Sequence, residues 1–197
     1  MSTWVIVLVK DFDSAKQRLG PALDSGARRT LARRNATRAI RAAAAGDRRL
    51  VVAGSDEAAS LALQLGAEVL LEARQEGQNV AAQRGIRRAS EGGADAVLLL
   101  SSDLPLVTKK SVRELLDVAG RIASPAVVAV PAVGRGGTNA LYLHPPRVIG
   151  LQFGADSLAA FRNEALGKGV RFALHRSAAM ALDLDEPADL ARLRRAV

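Results

Sequence analysis

Cysteine is absent from the 197 residues, which excludes disulfides, thiolate metal sites and a cysteine nucleophile and fits a cytoplasmic protein. One Trp, one Tyr and four Phe leave few rings on which nucleic-acid bases could stack. The two histidines, His144 and His175, stand too isolated to read as metal ligands or general bases; packing or surface roles suit them better. The opening stretch TWVIVLV (3–9) is far too short to cross a membrane and has no basic leader before it, so it reads as a first strand. Neither G-x-G-x-x-G nor G-x-x-x-x-G-K-[ST] follows that strand, so both a dinucleotide-binding turn and a P-loop are missing.

What the chain has in excess is positive charge. Its formal net charge of +8 favours anionic partners without naming them. The richest basic run, ARRTLARRNATRAIRAAAAGDRR (27–49), places Arg29/Arg33 and Arg34/Arg38/Arg41 at helical spacing with Leu31, Ile40 and alanines as a buried stripe. A solvated helix face explains that pattern; a nucleic-acid patch is the alternative.

Apolar periodicity predicts strands over 3–9, 50–53, 68–71, 96–100, 126–130, 139–143, 171–174 and 180–182. Helices are expected over 25–45, 57–65, 80–90, 111–123, 157–166 and 187–195. Strand and helix alternate through the first two-thirds, which implies right-handed crossovers and a mainly parallel sheet. After Pro125 the strands crowd together, suggesting an antiparallel addition at one end of the sheet. The expected architecture is a single α/β domain over 1–197, a three-layer sandwich with a mixed, mainly parallel sheet.

The stretch LLLSSDLPLV (98–107) runs a doubly buried strand straight into Asp103. Ligands of parallel α/β sheets bind outside the carboxyl ends of such strands, so Asp103 stands where a ligand would be, unless it merely caps the next helix. After the first strand, Lys10, Lys16 and Arg18 supply cations suited to phosphate. In ALDLDEPADL, Asp183 and Asp185 lie two apart, though Asp185 could equally cap the last helix. Carboxylates at two strand ends and cations at a third fit a metal-bound nucleoside triphosphate, since Mg2+ prefers few carboxylates plus phosphate oxygens and water. Between them, GRGGTNALYLHPP (134–146) and FGADS (153–157) offer close backbone approach and a helix start suited to phosphate or carboxylate. EGQN (76–79) places Gly77 and Asn79 just before a helix.

In this order, VIVLVKDFDSAKQRL, EGQN, SSDLPLV, GRGGTNALYLHPP, FGADS and LDLDEPADL resemble the guanylyltransferases of deazaflavin coenzyme F-420 biosynthesis over essentially the whole chain. Members of that family act on 2-phospho-L-lactate, phosphoenolpyruvate or 3-phosphoglycerate. The resemblance implies a nucleotidyltransferase fold of the GT-A, nucleotide-diphospho-sugar transferase type. It also implies Mg2+ on Asp103, Asp183 and Asp185, the phosphorylated acid held at Thr138, Gly154 and Ser157, and catalytic roles for Lys10, Lys16 and Asp103. Arg18, Gly77 and Asn79 fall on the nucleotide side. GTP and a small phosphorylated acid are the implied partners, with neither nucleic acid nor membrane. The chain departs from the family pattern with VLVK where VPVK is expected and EGQN where GLN is usual. Other readings are a cytidylyl- or molybdopterin-guanylyltransferase-like protein, which would keep a glycine-rich loop after the first strand, or a basic nucleic-acid-binding α/β module.

Overall fold

In the computed structural model, which describes residues 1–134 and 136–196, one seven-stranded sheet carries the molecule in the order β3-β2-β1-β4-β6-β5-β7. The strands are β1 (Thr3–Val9), β2 (Arg48–Ala53), β3 (Glu68–Leu71), β4 (Ala96–Ser101), β5 (Ala126–Pro131), β6 (Thr138–His144) and β7 (Arg171–Leu174). The helices are α1 (Ser25–Ala42), α2 (Asp56–Gln64), α3 (Gln78–Glu91), α4 (Lys109–Ala119), α5 (Ser157–Gly167), α6 (Ala178–Ala181) and α7 (Pro187–Ala196).

The apolar strands are buried on both faces, which is why they read as continuous runs rather than alternating ones. Leu98 and Leu100 of β4 point into the core beneath α1, α2 and α4, while Val97 and Leu99 point into a second core beneath α3 and α5. β1 divides in the same way, Val5 and Val7 to one side and Trp4 and Ile6 to the other. Burying each such side chain contributes on the order of 1.5–3 kcal/mol, so the central strands are the most firmly fixed part of the fold. The functional loops leave from their ends.

Two expectations need correction. The reversed strand is not an addition at one end: β6 lies between β4 and β5 and runs antiparallel to both, and β7 then pairs parallel with β5. The expected strand over 180–182 is instead the short helix α6, built from the sequence AAMA. Alanine is the best helix former, and the Asn139 side-chain amide donates to the Met180 and Ala181 carbonyls at 2.9 and 3.1 Å. Those carbonyls stand at the helix end, where no intrahelical donor remains. β2 also begins earlier than its apolar run, at Arg48, whose guanidinium lies 3.8 Å from the centre of the Trp4 ring and pairs with Glu68 at 2.7 Å.

Candidate active site

A cleft of about 760 Å³ opens over the carboxyl ends of β1 and β4, within the roughly 300–1,000 Å³ usual for ligand sites. Lys10, Lys16, Arg18, Gly77, Asp103, Thr138, Gly154, Ser157, Asp183 and Asp185 all line it. Asn79 does not. Its amide instead makes two hydrogen bonds with the Phe153 backbone.

Lys10 leaves the end of β1, and the chain then turns through a short 3-10 segment at Gln17–Leu19. Lys16 precedes that segment with φ 60° and ψ 30°, a left-handed conformation that costs a side-chain-bearing residue roughly 1–2 kcal/mol. The conformation brings Lys16 Nζ to 2.7 Å from Asp103 Oδ2, with only 8% of the lysine side chain exposed. Ser101 Oγ donates to the other oxygen, Oδ1, also at 2.7 Å. Burial, the largest single influence, pushes the Asp103 carboxyl up, but the Lys16 charge and the hydrogen bonds from Lys16 and Ser101 outweigh it and hold the group below the usual carboxylate range. Asp103 is therefore an anion at neutral pH. The helix that follows does not need it as a cap, because Thr108 and Ser111 form a reciprocal capping box at the start of α4.

A backbone hydrogen bond from Leu184 N–H to the Asp103 carbonyl, 3.2 Å, stitches the Asp183–Asp185 segment to the β4 loop. Asn139, by holding the end of α6, fixes where that segment starts. Arg18 Nη1 lies 3.2 Å from Asp185 Oδ2. Asp185 does not cap α7: Asp189, buried in the first turn, accepts from the amides of Asp185 and Glu186 at 3.0 and 2.9 Å. Neither Asp103 nor Asp185 is spent on starting a helix.

These carboxylates form an all-oxygen donor set of the kind magnesium takes. They are not drawn together, however: among the described residues no three acidic or histidine side chains are close enough to hold a metal ion. Asp103 is paired instead with Lys16 at 2.7 Å and Asp185 with Arg18 at 3.2 Å.

On the opposite wall, Ser157 Oγ and Thr138 Oγ1 are 3.2 Å apart and both residues are buried. Ser157 opens α5, whose dipole favours an anion, while the Ser157 and Leu158 amides donate to the Gly154 and Gly136 carbonyls at 3.4 and 3.0 Å. Gly154, with φ +142°, presents open space where a Cβ would stand; only glycine adopts this backbone without strain. Sequence reasoning missed Glu72 and Gln75, which also line the cleft. Glu72 is 7% exposed and pairs with Arg84 at 2.8 Å, and Gln75 Nε2 donates to the Gly54 carbonyl at 3.0 Å. The available signal was position, since Glu72 directly follows the end of β3.

Three of the α1 arginines lie away from the cleft. Arg34, Thr37, Arg38, Arg41, Thr108 and Lys109 line a second concavity of about 440 Å³ that shares no residue with the cleft. No described helix is long and apolar enough to cross a membrane.

Sheet order and the internal reversed strand define the nucleotide-diphospho-sugar transferase type of fold. A solved Desulfovibrio desulfuricans G20 protein described as such a transferase superposes with a TM-score of 0.79, covering 100% of this chain and 88% of its own; at 19% identity this bears on the fold alone. The chain belongs to the family described as Guanylyl transferase CofC like, whose model matches residues 3–194. A phosphoenolpyruvate guanylyltransferase of Rubrobacter xylanophilus is 43% identical over 98% of this chain and 94% of its own. A 2-phospho-L-lactate guanylyltransferase of Methanothermobacter thermautotrophicus is 32% identical over 98% and 84%.

Proposed function

We propose that the protein joins the GMP moiety of GTP to a phosphorylated three-carbon acid, with release of pyrophosphate, as a step of coenzyme F-420 biosynthesis in the cytoplasm. Phosphoenolpyruvate is the preferred acid, on the strength of the relative at 43% identity; 2-phospho-L-lactate and 3-phosphoglycerate are the alternatives. The observation that carries the reading is the composition of one cleft: cations from the 10–18 loop, carboxylates from two stitched segments and the α5 N-terminus all line it.

In the proposed reaction, an oxygen of the acid's phosphate attacks the α-phosphorus of GTP. The bond from that phosphorus to the β-phosphate bridging oxygen breaks, and pyrophosphate leaves with the electron pair. A diphosphate linkage to guanosine remains. A phosphate monoester is already largely a dianion at neutral pH, so no general base is required. The difficulty is repulsion between two anions. Lys10, Lys16 and Arg18 offset charge on the triphosphate, while Thr138, Gly154 and Ser157 hold the acid. Asp103, Asp183 and Asp185 are the residues that would hold a magnesium ion, which would neutralise charge on the reacting phosphates. That arrangement requires Lys16 and Arg18 to exchange their carboxylates for phosphate oxygens.

The test is pyrophosphate release with GTP and Mg2+ against phosphoenolpyruvate, 2-phospho-L-lactate and 3-phosphoglycerate in parallel. Release that depends on GTP and on one of the acids supports the reading. Equal release with CTP would move the protein to another nucleotidyltransferase class, and no release with any acid would defeat the proposal.

A further inference from the structure

Two walls of the cleft come from distant parts of the chain, and one side chain joins them. Asn79 Nδ2 donates to the Phe153 carbonyl at 3.1 Å, and Phe153 N–H donates to Asn79 Oδ1 at 2.8 Å. The half-buried carboxamide thus engages both polar groups of one residue's backbone, as a neighbouring strand would. Seventy-four residues separate the partners. Gly77, Gln78, Phe153 and Gly154 all line the cleft, whereas Asn79 lies behind them.

Phe153 is held on its other side as well, its ring packing edge-on to Phe161 of α5 with centroids 5.1 Å apart. Gly154 follows it at φ +142°, and the chain reaches the α5 N-terminus three residues later. Glycine takes this φ without strain, so the turn is held by its neighbours rather than by the residue itself. The Asn79 bonds and the Phe161 contact are the restraints directly upstream.

We propose that Asn79 is a positioning residue for the acid-binding wall: by clamping Phe153 it fixes where Gly154 and Ser157 at the start of α5 meet the phosphorylated acid. The identity of that ligand rests on the guanylyltransferase reading. The carboxamide is specifically required. Asn79→Asp would keep an acceptor for Phe153 N–H but lose the donor, setting a carboxylate against the Phe153 carbonyl oxygen, and Asn79→Ala would remove both groups. With its donor and acceptor groups both engaged by Phe153, Asn79 acts behind the cleft rather than as a contact to the nucleotide.

The experiment compares wild type with Asn79→Ala and Asn79→Asp, each as the full chain, by steady-state kinetics for both substrates and by hydrogen exchange over residues 151–158. We expect a rise of about tenfold or more in KM for the acid, KM for GTP and kcat within about threefold, and faster exchange confined to that segment. A rise in KM for GTP without one for the acid, an equal rise in both, or unchanged exchange would overturn the proposal. Should one variant fail to fold, the other decides. If wild type releases no pyrophosphate with any acid, the guanylyltransferase reading fails. Exchange alone then settles the clasp: faster exchange in the variants keeps it, and unchanged exchange removes it.

Discussion

Lys16 Nζ and Asp103 Oδ2 meet at 2.7 Å across 87 residues of sequence. The lysine approaches from the loop after β1 and the aspartate from the end of β4, strands that pair in parallel at the centre of the sheet. Their meeting is therefore set by the core, and it places a cation and an anion at the head of the cleft before any substrate arrives.

Asp103→Asn keeps the size and the Ser101 contact while removing the charge. We expect kcat to fall by about a hundredfold or more and stability to fall by about 1–3 kcal/mol, because Lys16 loses its charged partner in a half-buried site. Steady-state kinetics and urea unfolding measure the two effects. Wild-type turnover would remove Asp103 from the machinery.

Thr138→Val preserves shape and removes the hydroxyl that faces Ser157. A rise of about ten- to a hundredfold in KM for the acid with KM for GTP unchanged is the expected outcome, since a lost hydrogen bond to a charged group costs about 1.5–3 kcal/mol. Kinetics with each substrate varied in turn test it.

Gly85→Ala asks which of two effects wins. Alanine in a helix interior normally stabilises by about 0.5–1 kcal/mol relative to glycine. At Gly85, however, a Cβ would stand 2.8 Å from Ile6 Cγ2 and 3.0 Å from Val52 Cγ2, and overpacking a core costs about 1–3 kcal/mol. Net destabilisation is expected, read as a lower thermal midpoint.

Acid should weaken the α5 anchor. Burial pushes Glu164 up, but hydrogen bonds from Lys168, the Gly150 amide and Gln152, with the Lys168 charge, hold it below the usual carboxylate range. A carboxylate depressed in the folded state contributes stability above its unfolded pKa of about 4.3 and loses it as pH falls through the folded value. Between neutral pH and the region below about pH 4, the stability of Glu164→Gln should therefore fall less than that of wild type. Parallel curves for the two proteins would show that Glu164 contributes nothing.

The alternation of β1 to β4 with α1 to α3 was legible because each strand is an apolar run ended by turn residues. Less legible was the placement of β6, since nothing in 138–144 states which neighbours it takes. Charged strand residues such as Arg48, and the alanine-rich α6, misled a reading based on hydrophobicity: tertiary partners, Trp4 for one and Asn139 for the other, decided those segments. At the site, Asp103 was legible from its position after a doubly buried strand. Asn79 was visible as a polar residue just before a helix, but it lies in the first turn of α3 and its partner is a main-chain group 74 residues away, and no local pattern records such a pairing. Glu72 went unread because it stands apart from the EGQN motif, and a single acid after a short strand carries no spacing signal.

Phosphorus NMR of the reaction products tests the central claim most directly. With GTP, Mg2+ and phosphoenolpyruvate, we expect one pyrophosphate for each new molecule carrying two mutually coupled phosphorus signals, both esterified, between guanosine and the three-carbon acid. Formation of GDP or GMP with the acid unchanged would contradict it.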